Sequence, residues 1–423
     1  MEQHKADRIQ YWNRFLSYPS NPNWHLGFLL NRPICLSEIM IRPRIAYYVQ
    51  HLCVRLEYLD KPPSALRPFG DVPMTAQDSA WQDFLAISKC PYISDEDSGH
   101  WQEMLDRADV QTVTALLLTL LPNLRTFFLA DFADSSKIVR VVNKIATAHQ
   151  SGDRIDAQSI PLSKLCFFRA SWGNPLAHIG LWDNFAMLPS MRCLRNGPFK
   201  REDLERWHSH GSGSSNITEV HFDRACLPIE ILRRLCSHIK SLEKFVYNHV
   251  RGGIASQGCG TLSDLASLLQ TYAGHSLKEL CLSIDESDRP NDQFVPNFVG
   301  PLQGFEQLEK IEIEFYALVR ENAGKLVVPK LADILPASIH ELHIWLPNVK
   351  KRAIDLMGGL FAGIEEWKQE KLPKIHLVVF RRYRYKGDNV TEIPLDNDTT
   401  LTCESCGISF EVRAWPFSPL PTY

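Results

Sequence analysis

Eight segments of this 423-residue chain repeat one short pattern, an apolar residue followed three and five positions later by two more. It reads Leu124-Phe127-Leu129, Leu162-Leu165-Phe167, Ile217-Val220-Phe222, Leu242-Phe245-Tyr247, Leu277-Leu280-Leu282, Leu308-Ile311-Ile313, Ile339-Leu342-Ile344 and Leu372-Ile375-Leu377. Met191-Leu194 is a weaker copy, with Asn196 in the third place. The starts are 38, 29, 26, 25, 35, 31, 31 and 33 residues apart. Self-similarity at such a period means that one small structural unit is stacked on the next.

Between copies lie stretches with a helical period. Val113, Leu116, Leu117, Leu120 and Leu121 form one apolar stripe. Ile229, Leu232, Leu235 and Ile239 form another, as do Leu262, Leu265, Leu268, Leu269 and Tyr272. Val328, Leu331, Ile334 and Leu335 make a further one, and Ile354, Met357, Leu360, Phe361, Ile364 and Trp367 the last. One-sided stripes predict helices packed on a sheet. Pro122, Pro189 and Pro336 fall just before their copies and Pro373 just inside the last one, marking turns where proline ends a helix and favours extended chain. Each unit therefore reads helix, turn, short strand.

No single unit can bury both its strand and its helix stripe, so units must stack into a continuous core. The predicted fold class is α/β: a leucine-rich-repeat solenoid or horseshoe, with parallel strands on the concave face and helices outside. The asparagine or cysteine expected three positions after the last apolar residue is mostly missing; Phe132, Ala170, Val250 and Tyr316 stand there. Residues 1–107 read as a helical N-terminal cap with loops and, at Val49-Leu52-Val54, a possible first strand copy. Residues 108–385 are the repeat array. Residues 386–423, polar and without periodicity, read as a C-terminal cap or partly ordered tail.

Composition narrows the partners. The formal net charge is −3, which leaves no global field to drive the chain onto nucleic acid or anionic lipid. The longest apolar run, about residues 115–121, is too short to span a bilayer. The polar start and eleven scattered cysteines favour a reducing compartment, cytoplasmic or nuclear, with free thiols.

The segment from Asp109 to Arg125, with Arg42–Leu52 and Ile239–Phe245, resembles degenerate leucine-rich-repeat proteins of filamentous fungi, many of which are F-box proteins. That resemblance implies an F-box ahead of the repeats, docked on the adaptor of a cullin-type ubiquitin ligase, and a role as its substrate-recognition subunit. Residues 1–40 show no Leu-Pro-x-Glu-type F-box helix. Leu227-Pro228-Ile229-Glu230 spells such a string inside the array, where it reads as an ordinary repeat helix.

Few residues point to chemistry. Cys403 and Cys406 form a lone C-x-x-C pair; zinc needs four ligands, so a turn with two free thiols is expected and no metal or other cofactor is assigned. The glycine-rich stretches 211–215 and 251–260 lack the lysine and hydroxyl of a phosphate-binding loop and read as connectors. The basic, aromatic run at 381–386 is of a kind that binders of single-stranded nucleic acid use, but a lone run in a slightly acidic chain argues against that partner.

Strand register supplies the candidate site. With a period of two, the fourth and sixth motif positions face the core and the third, fifth and seventh face outward. The early strands then present Phe128 and Phe168, and the late ones Glu312, Glu314, Glu341, His343, Trp345 and His376. Glu312, His343 and His376 are expected in one row across neighbouring strands, which would suit an enzyme or a metal in principle. Trp345 beside Glu314 and His343 is the expected anchor for a protein partner, since tryptophan dominates interface hot spots. No catalytic signature accompanies them, so the expectation is a non-catalytic protein-recognition scaffold.

Overall fold

A computed structural model describes residues 46–47, 49–55, 92, 110–132, 136–151, 160–173, 182, 184–196, 215–225, 227–250, 260–285, 297–322, 325–346, 351–384 and 395–416. The chain forms two compact units, one of Met1–Gly197 with Glu202–Asn216, the other of Ile217–Tyr423 with Pro198–Arg201. The helical expectations for the N-terminal cap ahead of residue 46, and the glycine-rich stretches 211–214 and 251–259, lie outside the described residues.

In the first unit, strands β1 (His51–Arg55), β2 (Thr126–Phe132), β3 (Phe167–Gly173) and β4 (Cys193–Asn196) pair in sequence order, all parallel. The expected first copy at Val49-Leu52-Val54 is thus a real strand, with Leu52 and Val54 fully buried. Helices α1 (Val110–Leu120) and α2 (Ser136–Ser151) connect and cover the strands. Helix α1 is buried almost all round: Thr112 and Thr114 are as enclosed as Leu116 to Leu118. The enclosed Thr112 hydroxyl accepts from Lys137 Nζ at 2.9 Å, which answers the cost of burying a polar group.

The second unit pairs β5 (Glu219–Ala225), β6 (Lys244–Val250), β7 (Glu279–Asp285) and β8 (Lys310–Glu314) in order. A separate antiparallel hairpin, β9 (Arg320–Asn322) with β10 (Lys325–Val327), interrupts the series. The parallel sheet resumes with β11 (Glu341–Leu346), β12 (Leu377–Arg384) and β13 (Ser409–Pro416). Helices α3 (Ile229–His238), α4 (Leu262–Ala273), α5 (Lys351–Leu360), α6 (Ile364–Glu370) and α7 (Asn397–Ser405) pack on one face. The string Leu227-Pro228-Ile229-Glu230 is the start of α3, a repeat helix as expected. The last segment, read from sequence as a cap or tail, carries α7 and β13, one more helix and strand of the same kind.

Local chemistry explains where these helices begin and end. At α4, Thr261 accepts from the Asp264 N–H, and the Asp264 carboxylate accepts from the Thr261 N–H, a reciprocal cap that satisfies two otherwise orphaned donors. The single stripe from Ile354 to Trp367 is split, because Gly363 adopts a left-handed φ of +72° between α5 and α6; Met357, Leu360, Phe361, Ile364 and Trp367 still share one buried side. The helix expected over 328–335 is not formed. Only a 3₁₀ turn, Leu331–Asp333, fits between Pro329 and Pro336, since the residue before each proline is pushed out of the helical region. Its Leu331, Ile334 and Leu335 are buried nonetheless.

Each strand begins on the same main-chain joint. The Gln50 carbonyl accepts from both the Arg125 and Thr126 N–H groups, Arg125 from Cys166 and Phe167, and Cys166 from Arg192 and Cys193. In the second unit Thr218 accepts from Glu243 and Lys244, Glu243 from Lys278 and Glu279, and Lys278 from Glu309 and Lys310. Glu309 then accepts from His340 and Glu341, and His340 from His376 and Leu377.

Register at these joints corrects two repeats. Phe127 stands beside Phe168, not Phe167, and Leu342 beside Val378, not Leu377. Phe168 and Val378 are fully buried, whereas Phe167 and Leu377 are partly exposed. The cause is visible in the chain. Leu162 and Leu372 match Leu121 in position, one step ahead of the motif, and the true copies start at Leu165 and Ile375.

Candidate recognition surface

The outward face of the second unit's sheet is laid out in rows by strand pairing. Glu219, Lys244, Glu279, Lys310 and Glu341 stand side by side on β5, β6, β7, β8 and β11, so charge alternates from strand to strand at a spacing of about 4.8 Å. Lys244 meets Glu279 at 2.7 Å and Lys310 meets Glu341 at 3.7 Å. Burial works against the Lys244 ammonium, but Glu279 and Glu219 outweigh it and hold its pKa above the usual value. One residue earlier on β6, β7 and β8 the signs are reversed: Glu243 meets Lys278 at 3.0 Å, followed by Glu309, with Thr218 before them and His340 after them on the joint ladder. The result is a chequerboard of half-exposed charges fixed to a rigid sheet.

Further along β8, β11 and β12 the face closes into a tight polar cluster. The Trp345 indole N–H donates to Glu312 Oε1 at 2.7 Å. Arg381 Nη2 lies 3.1 Å from the other oxygen of the same carboxylate. The guanidinium also donates to His343 Nδ1, through Nε at 3.2 Å and Nη2 at 2.9 Å. Two donors on Nδ1 leave the imidazole proton on Nε2, which donates to Glu341 Oε2 at 3.1 Å. The side chain of His343 is only 1% exposed. Burial, and then the Arg381 charge, hold its pKa below the ordinary value, so it is neutral. Burial alone would raise the Glu341 pKa, but the His343 hydrogen bond and Lys310 bring it below the usual carboxylate value.

The candidates read from sequence are therefore brought together only in part. Glu312, Glu341, His343 and Trp345 are one cluster, and of the expected row Glu312 and His343 stand side by side. Trp345 is 8% exposed and Glu314 3%, so both are enclosed parts of this face and the open side chains are those of the charged rows. His376 does not join Glu312 and His343. The register shift puts Val379 beside His343, and His376 falls in the outer row with His340 and Glu309. Phe168 does not face outward either: it is buried between Phe127 and Phe185, with ring centroids 5.6 and 4.2 Å away. Phe128 does hold its expected outward place and pairs with Phe167 at 5.3 Å. Arg381 was read only as part of a basic run. Correct placement of the Ile375-Val378-Phe380 core would have aimed it at Trp345. Side chains of the run beyond Arg381 lie outside the described residues.

Cys403 and Cys406 are free thiols at the end of α7. Cys403 is fully buried, which pushes its pKa up to about 12, the opposite of what a thiolate ligand or nucleophile needs. Among the described residues no helix is long and apolar enough to cross a membrane.

A family model described as a leucine-rich repeat domain matches residues 87–405. The chain thus belongs to the leucine-rich-repeat family, and that fold is consistent with a protein-interaction scaffold. Comparison with curated proteins finds no match.

Proposed function

We propose that this chain is a non-catalytic recognition scaffold that holds a protein partner against the outward sheet face of its second unit. The charge-alternating rows from Glu219 to Glu341 and from Glu243 to Glu309 support this reading. They are open, fixed by main-chain bonds rather than by their own side chains, and patterned in both directions. Such a pattern selects a partner with matching charges and repels others, giving specificity more than raw affinity. The enclosed Trp345–Glu312–Arg381–His343 cluster keeps the surface beside the rows rigid.

Affinity purification followed by mass spectrometry tests the reading, with a Lys244→Glu/Lys278→Glu double variant beside the wild type. A partner held by the wild type and lost by the variant, with unchanged circular dichroism, is the expected outcome. A set of partners indifferent to these charges would overturn it. The narrower role, substrate recognition for a cullin-type ubiquitin ligase, is supported only by the resemblance of the repeats to F-box proteins. Recovery of a cullin adaptor in the same experiment is its test, and stable partners without an adaptor would sink it.

A further inference from the structure

The outer row ends in two histidines on adjacent strands. His376 N–H donates to the His340 carbonyl, and His340 N–H to that of Glu309, so the three side chains leave consecutive strands from one register position. The imidazole rings of His340 and His376 lie 6.0 Å apart at 49°. His376 is exposed and His340 half-exposed. The His376 ring has Nδ1 at 3.2 Å from the Lys374 carbonyl oxygen. A carbonyl only accepts, so Nδ1 carries the proton and Nε2 keeps its lone pair. This is the arrangement of metal-binding histidines, whose second ring nitrogen donates to a carbonyl that fixes tautomer and orientation.

From this geometry we propose a binding site for a divalent late first-row cation of the zinc class, held by His340 and His376. Two imidazoles that share one ion at metal–nitrogen distances of about 2.0–2.1 Å place their ring centroids about 5–6 Å apart; the observed 6.0 Å is at the upper end of that range, so rotation of the rings brings both onto one ion, with water completing the coordination. The Glu309 carboxylate, exposed and without an ion pair among the described residues, adds negative charge one strand away. Imidazole with carboxylate and water suits zinc, nickel, cobalt and copper, and does not suit magnesium or calcium, which take oxygen ligands. The site is independent of the recognition reading: its failure would leave the chequerboard and any partner untouched.

Cobalt(II) is the probe, because its spectrum separates histidine from cysteine ligation in a chain with several thiols. The full-length protein is titrated with cobalt(II) beside His340→Gln and His376→Gln variants, with circular dichroism as the check on folding. Expected are visible ligand-field bands at one ion per chain, no thiolate charge-transfer absorption, and affinity lower by about tenfold or more in each variant. Zinc(II) should displace the cobalt. Absence of binding, a thiolate band, or variants that bind like the wild type would each overturn the proposal. Both side chains are solvent-facing, so loss of binding without loss of fold is readable.

Discussion

The Arg381 guanidinium lies over the Trp345 indole, its Cζ 5.2 Å from the ring centroid, while its nitrogens reach His343 and Glu312. One side chain thus closes a cation–π contact, an ion pair and a neutral hydrogen bond on three residues of two neighbouring strands. Arg381→Ala should cost about 2–4 kcal/mol, since it strands the mostly enclosed Glu312 carboxylate and leaves His343 Nδ1 without its donors. Chemical denaturation measures it. Arg381→Lys should recover only part, because an ammonium cannot reproduce the planar fork. A near-zero change in the alanine variant would mean the cluster contributes nothing to stability.

Acid should loosen the second unit in two stages. His343 binds its proton less readily in the folded chain than in the unfolded one, so the unfolded state takes up protons first as pH falls. Stability from this group is complete above its ordinary pKa of 6.5 and declines below it. Glu341, held below its ordinary 4.5, adds a second loss once pH drops under that value. Denaturation midpoints measured from pH 8 to 4 should therefore fall from about pH 6.5 downward, and His343→Gln should flatten the first stage. A wild-type profile level between pH 7 and 5 would contradict the neutral, enclosed histidine.

Two neighbouring phenylalanines separate the observed register from the alternative. Phe168→Ala should cost about 3–5 kcal/mol, as expected for emptying a fully buried ring site. Phe167→Ala removes an outward ring paired with Phe128 and should cost about 1 kcal/mol. The reverse order in thermal or chemical denaturation would restore the unshifted register. Leu280→Ala, at a copy where motif and register agree, should cost about 2–5 kcal/mol.

Thiol reactivity should follow burial. Cys236 and Cys403, both raised to about 12 by burial, should stay unmodified by iodoacetamide in the native protein and react on unfolding. Partly exposed Cys166 and Cys406 should react first. Mass spectrometry of the labelled peptides decides it, and early labelling of Cys403 would show that α7 opens readily.

The repeat copy at Leu308 was legible because each position offers one apolar choice, with Lys310, Glu312 and Glu314 standing between, and period two then fixes which side is buried. At Phe167/Phe168 and Leu377/Val378 the chain offers two adjacent apolar residues, and hydrophobicity cannot choose between them. Main-chain bonding to the previous strand does choose, and it is not written in side-chain character. The same shift separated His376 from His343 and aimed Arg381 at Trp345. That last contact joins residues 36 positions apart in the chain (381 − 345), so it exists only once both strands are in register. Gly363 and the proline pair at 329 and 336 gave local signals that an apolar stripe alone overrides on paper and does not override in the fold.

The joint ladder, in which one carbonyl receives two N–H groups from the next strand, has a consequence for inheritance. The hinge between successive coils is spelled in peptide groups, which every amino acid but proline supplies. Thr218, Glu243, Lys278, Glu309 and His340 occupy equivalent joints with four different kinds of side chain. Mutation there rewrites what the surface displays and leaves the stacking intact, so a lineage carrying this fold can change its clientele one residue at a time without passing through an unfolded ancestor.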